Sequence, residues 1–228
     1  VGADSVMIVA TDAQTEDGTA SDGSATLTVI GYNTLPATDL LTIDGVNQVS
    51  RVGRYSAQIV LPAQRVEGTL LGIDRAAMPA IARFRADFAA EPLADALNRL
   101  AGNRTGILLN RQTAETYNLI IGQEITVQVS ALGTWYPTQV PIVGLLDYFP
   151  TLDPRAGFFA LTNLDPIFEL VGTELPHNVW LSLDDRADPQ QVRAEAEAMG
   201  YPVLDWLDPT ALLHQALRNP TRRGVLGF

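Results

Sequence analysis

Short apolar segments that switch between the period of a strand and the period of a helix most strongly limit how this 228-residue chain can fold. Ile125, Val127 and Val129 alternate with polar residues, which is the pattern of a half-exposed strand. Between Pro79 and Leu100 the apolar residues instead recur about one helical turn apart. This alternation predicts a mixed fold, α/β or α+β, in one large domain or two small ones.

The same patterns predict an order of elements along the chain. Strands are expected near residues 4–10, 25–30, 46–59, 107–109, 125–129, 139–146, 158–161 and 179–183. Short helices or turns are expected near residues 37–41 and 113–117, and the acidic, glycine-rich stretch 11–24 is expected to be a mobile loop. The first of these elements together predict a sheet that helices cover on one side.

Three Asp-Pro pairs predict where later helices begin. They are Asp165-Pro166, Asp188-Pro189 and Asp208-Pro209. In each pair the carboxylate can accept hydrogen bonds from free backbone amides, and the proline supplies a helical φ without wasting a donor. Gly200 is expected to end the helix that begins at Asp188-Pro189.

Charge and composition exclude several classes of function. The chain carries 15 basic residues, all of them Arg, against 26 acidic residues, for a net charge of −11. Binding to nucleic acid or a basic membrane-docking face is therefore not expected. The absence of Cys excludes disulfides, thiolate catalysis and Cys-ligated zinc. No apolar run approaches the roughly 18 to 20 residues that a membrane span requires.

The motifs that common enzymes need are missing from the sequence. There is no G-x-S-x-G nucleophile motif, and a phosphate-binding P-loop would require a Lys. The two histidines, His177 and His214, lack the spacing of a metal-binding helix, so we expect both to be structural. The chain is therefore not expected to be an enzyme.

Acidic clusters have a structural explanation. Asp184, Asp185 and Asp188 lie at a predicted strand-to-helix turn, where Asp commonly caps a helix. The acids of residues 11–24 lack the spacing that places oxygen atoms around one calcium ion. We expect no catalytic residue, no metal site and no cofactor.

Two aromatic clusters are candidate contacts for a partner. Trp135-Tyr136-Pro137 falls at a predicted hairpin tip, and Tyr148-Phe149-Pro150 follows the second strand of that hairpin. Aromatic residues are usually buried, but Trp and Tyr at a loop tip also anchor protein partners. We therefore name Trp135, Tyr136 and Phe149 as candidate partner contacts.

Several further segments carry degenerate motifs whose order and spacing are informative. They are DGVNQVS at residues 44–50, GID at 72–74, the segment from ILLN to TAE at 107–115, NLIIGQEITV at 118–127 and VPIVGLLD at 140–147. In this order they resemble the MacB-like periplasmic core domain of FtsX-type ABC transporter permeases. Gln123 departs from the family pattern, which usually has Asp at this position.

The resemblance implies an α+β architecture of two lobes. A porter-like αβ lobe would form from both chain ends, residues 1–82 and 176–218, with an inserted mixed lobe at residues 83–175. Residues 219–228 would approach a membrane helix, and membrane helices absent from this chain would flank the domain.

The resemblance also implies a function on the extracytoplasmic side of the cell membrane. The partners would be a cytoplasmic ABC ATPase subunit and a second permease copy, together with an extracytoplasmic protein or lipoprotein. ATP-driven motion would then serve export or mechanotransmission. The alternative is a secreted module that holds a small ligand in a cleft between the lobes.

Overall fold

The computed structural model describes residues 3–19, 25–82, 92–152 and 157–207. Within them the chain forms strands β1 to β11 at Ser5–Val9, Asp12–Thr19, Ala25–Asn33, Val46–Val60, Arg65–Ile73, Ile107–Asn110, Glu124–Ala131, Thr134–Leu146, Phe158–Asn163, Asn178–Leu183 and Val203–Leu207. Helices α1 to α5 are Met78–Ile81, Leu93–Gly102, Arg111–Tyr117, Leu164–Val171 and Pro189–Ala198, and a 3₁₀ helix spans Ala37–Thr42. The predicted mixed α/β fold is confirmed.

The long strand β4 belongs to two parts of the main sheet. Its first half, from Val46 to Val52, pairs antiparallel with β10. On the same edge, its last four residues, Ala57 to Val60, pair antiparallel with β7. Along its other edge β4 pairs with β5 from Val52 to Val60. One continuous strand therefore connects the sheet near the chain ends to the strands in the middle of the sequence.

Six strands close into a ring of hydrogen-bonded pairs. The pairs run β4–β5, β5–β9, β9–β6, β6–β8, β8–β7 and back from β7 to β4. Side chains from all six strands meet in one buried cluster, which fills the ring. One such residue from each of β4 to β9, in chain order, is Ile59, Leu70, Ile107, Val127, Ile142 and Ala160.

Helices cover both faces of the sheet near the chain ends, so the one-sided cover predicted for the first elements is wrong. Met7 of β1 packs in a cluster with the 3₁₀ helix and α5, whereas Val6 packs in a cluster with α1 and α2. Successive residues of a strand point to opposite faces. In β6, Ile107 and Leu109 join the cluster inside the ring, whereas Leu108 joins a second cluster with α1 and α2. The four residues of β6 are all buried, which is why this strand shows no alternation in the sequence.

The main correction concerns residues 11–24, which are not a loop over their described part. Residues 12–19 form β2, which pairs antiparallel with β3. The side chains of residues 12–17 are exposed. A strand with no buried face shows no apolar alternation, and this is why the sequence pattern missed it. Residues 20–24 lie outside the described residues.

Several element boundaries also differ from the predictions. The turn between β7 and β8 is only Leu132-Gly133, both with positive φ (49° and 73°), so β8 begins at Thr134. Positive φ at both central residues is typical of a type I′ hairpin. Helix α4 begins at Leu164 after Asn163, so Asp165 is not its cap. Strand β11, which pairs with β1, was not predicted.

Other predicted helix boundaries are confirmed. The Asp188 carboxylate accepts a hydrogen bond from the backbone N–H of Gln190 at 2.9 Å, which caps α5. Gly200 follows that helix with a φ of +96°, a conformation that glycine adopts without strain. The predicted helix start at Asp208-Pro209 and the middle of the predicted helix 79–100 lie outside the described residues.

The division into two lobes stays a prediction. Strands β4 and β5 come from residues 1–82, yet they complete the ring with β6 to β9, which come from residues 83–175. None of the described helices is both long and apolar enough to cross a membrane.

We predict that shortening Ile59 weakens the fold through the ring core. Ile59 is fully buried, so Ile59→Ala should lower the free energy of unfolding by about 2 to 5 kcal/mol. Ile121→Ala makes the same change at a residue that is 57% exposed, and should cost well under 1 kcal/mol. Urea denaturation measures both, and equal losses would contradict a core inside the ring.

Candidate functional site

A charged cluster connects β4, the end of β5 and the start of α4. It consists of Arg51, Asp74 and Asp165, and we call it the Arg51 cluster. The guanidinium of Arg51 donates from Nε to Asp74 Oδ2 at 2.9 Å and from Nη2 to Asp74 Oδ1 at 2.8 Å. Nη2 also donates to Asp165 Oδ1 at 2.8 Å. This single side chain therefore joins three elements that are far apart in sequence.

The surroundings of Arg51 strengthen these contacts. The hydrogen bonds and charge of Asp74 raise the pKa of Arg51 above its ordinary value, although burial of the guanidinium acts in the opposite direction. Its guanidinium carbon lies 5.9 Å from the centroid of the Phe168 ring, within the range of a cation–π contact. The Arg51 side chain is only 23% exposed, whereas Asp165 is 61% exposed. The Asp74 pair is therefore the more protected of the two, and the Asp165 pair lies open to solvent.

Two clefts flank the Arg51 cluster. One, of about 490 Å³, lies between Pro36, Val49, Arg51 and Glu174. The other, of about 350 Å³, lies between Leu100, Arg104 and Asp165. Asp74 lines both clefts. The ligand-binding alternative predicts a cleft between the lobes. Both of these clefts are lined by residues of 1–82 and of 83–175, and both are partly open to solvent.

Further polar contacts join residues 1–82 to residues 83–175. Arg54 Nη2 donates to the backbone oxygen of Thr151 at 2.6 Å and to its hydroxyl at 3.1 Å. Thr34, which follows β3, donates from its hydroxyl to a carboxylate oxygen of Glu174. With the Arg51–Asp165 pair, these contacts form a polar seam between the two regions.

His177 lies in a buried position. It is 8% exposed, and its Nδ1 lies 2.9 Å from the backbone oxygen of Leu175. Since a carbonyl can only accept, Nδ1 carries the proton. Its ring also lies 5.9 Å from the ring of Phe168. Burial lowers the pKa of His177, so the imidazole is neutral at pH 7. His214 lies outside the described residues.

The three candidate partner contacts have different environments. Trp135 lies on β8 and is 41% exposed. Tyr136, the next residue, is half-buried and packs against the ring core. Phe149 is 2% exposed, and its ring stacks on Trp180 with 6.4 Å between the centroids. A surface contact through Phe149 is therefore not compatible with this fold, because its ring fills the core.

The structure also separates these residues in space. Trp135 lies near the start of β8, and Phe149 follows its end, so the two aromatic clusters do not form one surface. In the second cluster Tyr148, at 50% exposure, is the aromatic residue that faces solvent. Sequence reasoning missed this distinction because it could not tell which of two adjacent aromatics points into the core.

The acids near α5 have structural partners. Asp188 caps the helix, and Asp184 accepts a hydrogen bond from Asn47 Nδ2 at 2.9 Å. Among the described residues, no group of three or more His, Asp or Glu side chains is arranged to hold a metal ion.

The fold resembles extracytoplasmic domains of transport proteins. The crystal structure of the periplasmic region of MacB from Actinobacillus actinomycetemcomitans matches with a TM-score of 0.50 and 9% identity, over 80% of this chain and 81% of that one. The extracellular domain of the noncanonic ABC-type transporter YknZ from Gram-positive bacteria matches with a TM-score of 0.48 and 14% identity, over 75% and 84% of the two chains. Comparison with curated protein sequences finds no significant match.

The family model of the MacB-like periplasmic core domain matches residues 4–199. The chain therefore belongs to the MacB-like periplasmic core domain family. It is a periplasmic or extracellular domain of an ABC transporter permease, a class that works with cytoplasmic ATPases. The family is a transporter family and not a catalytic one.

Gln123, where the family pattern usually has Asp, lies in a tight turn before β7. The Gln123 side-chain oxygen accepts a hydrogen bond from the backbone N–H of Ile120 at 3.1 Å, and the N–H of Gln123 donates to Ile120 O at 3.1 Å. Gly122, between them, has a φ of +89°. A carboxylate acceptor at position 123 could accept the same hydrogen bond, so Gln preserves the turn.

We predict that His177 makes the fold less stable in mild acid. Its pKa is below the ordinary value in the folded state, so below about pH 6.5 the unfolded chain binds a proton that the folded chain does not. Stability is thus lost as the pH falls, with a slope of up to about 1.4 kcal/mol per pH unit for one proton.

His177→Gln should reduce this slope, because Gln does not titrate. Urea denaturation at several pH values between 7.5 and 5.5 measures the slope for both proteins. An unchanged slope in the variant would show that another group causes the acid sensitivity.

Proposed function

We propose that this domain transmits ATP-driven motion from a separate cytoplasmic ATPase to a substrate or partner outside the membrane. The observation that carries the proposal is strand β4, whose first half pairs with β10 and whose last four residues pair with β7. A displacement applied to the sheet near the chain ends reaches the ring through one unbroken strand. At about 3.3 Å per residue, its 15 residues span about 50 Å.

The path of the first and last described strands supports this direction of transmission. Strand β1 begins at Ser5, and β11 ends at Leu207 opposite Val6 in the antiparallel pair. The chain therefore enters and leaves the described fold at the same pole of the sheet. Motion of membrane segments joined there would act on β1 and β11 together, and would pass through β10 to β4.

The polar seam supports a rigid connection between the parts that would move. The Arg51 cluster, Arg54 with Thr151, and Thr34 with Glu174 hold residues of the middle of the chain against β4 and β3. We infer that the domain moves as a connected body, and that a second permease copy and the ATPase act through the full-length protein.

We predict that Asp165→Asn weakens coupling without unfolding the domain. It removes the Asp165 pair with Arg51 and leaves the Asp74 pair intact. An exposed pair contributes up to about 1 kcal/mol, so transport or partner activation should fall by about two- to five-fold. The ATPase activity of the full-length transporter should stay near normal.

Glu197→Gln is the matched control, because it also removes an exposed carboxylate from a 2.8 Å pair with an arginine, Arg193, but on α5. The measurement is output per ATP hydrolysed in the full-length transporter, with thermal unfolding as the check on folding. Equal effects of the two variants would argue against a role of the seam in transmission.

We propose that Trp135 contacts the partner or substrate, with Tyr136 supporting it from the ring side. Trp135→Ala should impair coupling and leave the melting temperature nearly unchanged, because the side chain is 41% exposed. Trp180→Ala is the contrasting variant. Trp180 is 3% exposed, so truncation should cost about 3 to 5 kcal/mol of stability. Loss of folding in Trp135→Ala would instead assign Trp135 to the core.

A further inference from the structure

The hairpin of β2 and β3 stands apart from the main sheet. The two strands pair only with each other, so in the described part of the chain both outer edges carry unpaired backbone groups. Its base is held, because Tyr32 packs against the ring core and Thr34 bonds to Glu174. Beyond the base, the side chains of residues 12–17 and of Leu27, Thr28 and Ile30 are exposed.

Two of these exposed side chains are large and apolar. Leu27 is 71% exposed and Ile30 is 48% exposed. Leu27 and Val29 lie on the same face of β3, because they are two residues apart. An isolated two-stranded hairpin is marginally stable in water, and a third strand that covers apolar side chains would stabilise it. Addition of a third strand would therefore stabilise the hairpin.

The negative charge on and near the hairpin determines which kind of segment can pair with it. The first 50 residues contain seven acidic residues and no Arg or Lys, so they hold −7 of the net charge of −11. On β2, Asp12, Glu16 and Asp17 are exposed, and Asp17 lies directly opposite Leu27. A second copy of this chain or an anionic lipid surface would be repelled. A basic segment would be attracted, and its charge would complement β2.

We propose that the β2–β3 hairpin docks an extended basic segment of a protein partner as a third strand. Because side chains alternate between the two faces of a strand, Arg or Lys side chains of that segment lie on the face of Glu16, and its apolar side chains cover Leu27 and Val29 on the other face. This inference rests on the proposed function only in requiring an extracytoplasmic partner. It adds the docking surface and the chemistry of what binds there, and it does not involve Trp135.

The test uses a short synthetic peptide in which arginine alternates with valine, titrated into the isotope-labelled chain and followed by NMR. Amide shifts should change in β2 and β3, and binding should weaken at high salt. The triple variant Asp12→Asn, Glu16→Gln, Asp17→Asn should bind about tenfold more weakly, and Leu27→Ser several-fold more weakly. A peptide with glutamate in place of arginine should not bind.

The matched control neutralises three acids outside the hairpin, namely Asp184, Asp185 and Glu197, and should bind the peptide as the unaltered chain does. The proposal fails if the arginine peptide does not bind, if it binds the two triple variants equally, or if the shifts map elsewhere. Self-association in sedimentation that Leu27→Ser abolishes would identify a second copy as the occupant. Flotation with phosphatidylglycerol vesicles that requires Leu27 would identify a lipid surface.

The peptide assay is independent of ATP-driven transmission. If Asp165→Asn leaves coupling unchanged while the peptide still binds the hairpin, the transmission proposal fails and the docking proposal stands. If the peptide does not bind while Asp165→Asn lowers coupling, the docking proposal fails and the transmission proposal stands.

Discussion

The double pairing of β4 is the constraint on which the rest of the structure depends. On one edge, the same strand meets β10 along its first half and β7 along its last four residues. Because β5 pairs with β4 from Val52 to Val60, β4 fixes the register of both β5 and β7, and the ring closes from these two strands through β9, β6 and β8. The interior of the ring can then fill with apolar side chains, whose burial is the main source of stability.

The polar seam follows from this arrangement. Where β4 leaves β10, its side chains meet the start of α4, which comes from the middle of the chain. At that junction Arg51 donates hydrogen bonds to the carboxylates of Asp74 and Asp165 and lies over the ring of Phe168. A single Arg can do this because its planar guanidinium presents several donors in fixed directions. Asp74 holds the guanidinium in place from the same region of the chain, and the contact that crosses the seam is the Asp165 pair, where water competes.

The two surfaces proposed for partners differ in their physics. Trp135 offers a rigid aromatic side chain next to a tight turn, a feature that anchors partners by apolar contact. The β2–β3 hairpin offers unpaired backbone groups, exposed Leu27 and a strongly acidic strand, which together select by charge. Both are parts of an extracytoplasmic transporter domain, and neither requires a catalytic group.

The sequence by itself determined the mixed fold class, most strand positions, the cap at Asp188 and the family, because these depend on local periodicity, local hydrogen bonds and ordered motifs. It could not show that β4 closes a ring, that Asp165 pairs with Arg51, or that Phe149 is buried while Trp135 is exposed. Those facts depend on contacts between residues far apart in the chain, which no local pattern encodes. The β2 strand was missed for a related reason: its exposed residues make few contacts with the core, and only its pairing with β3 defines it.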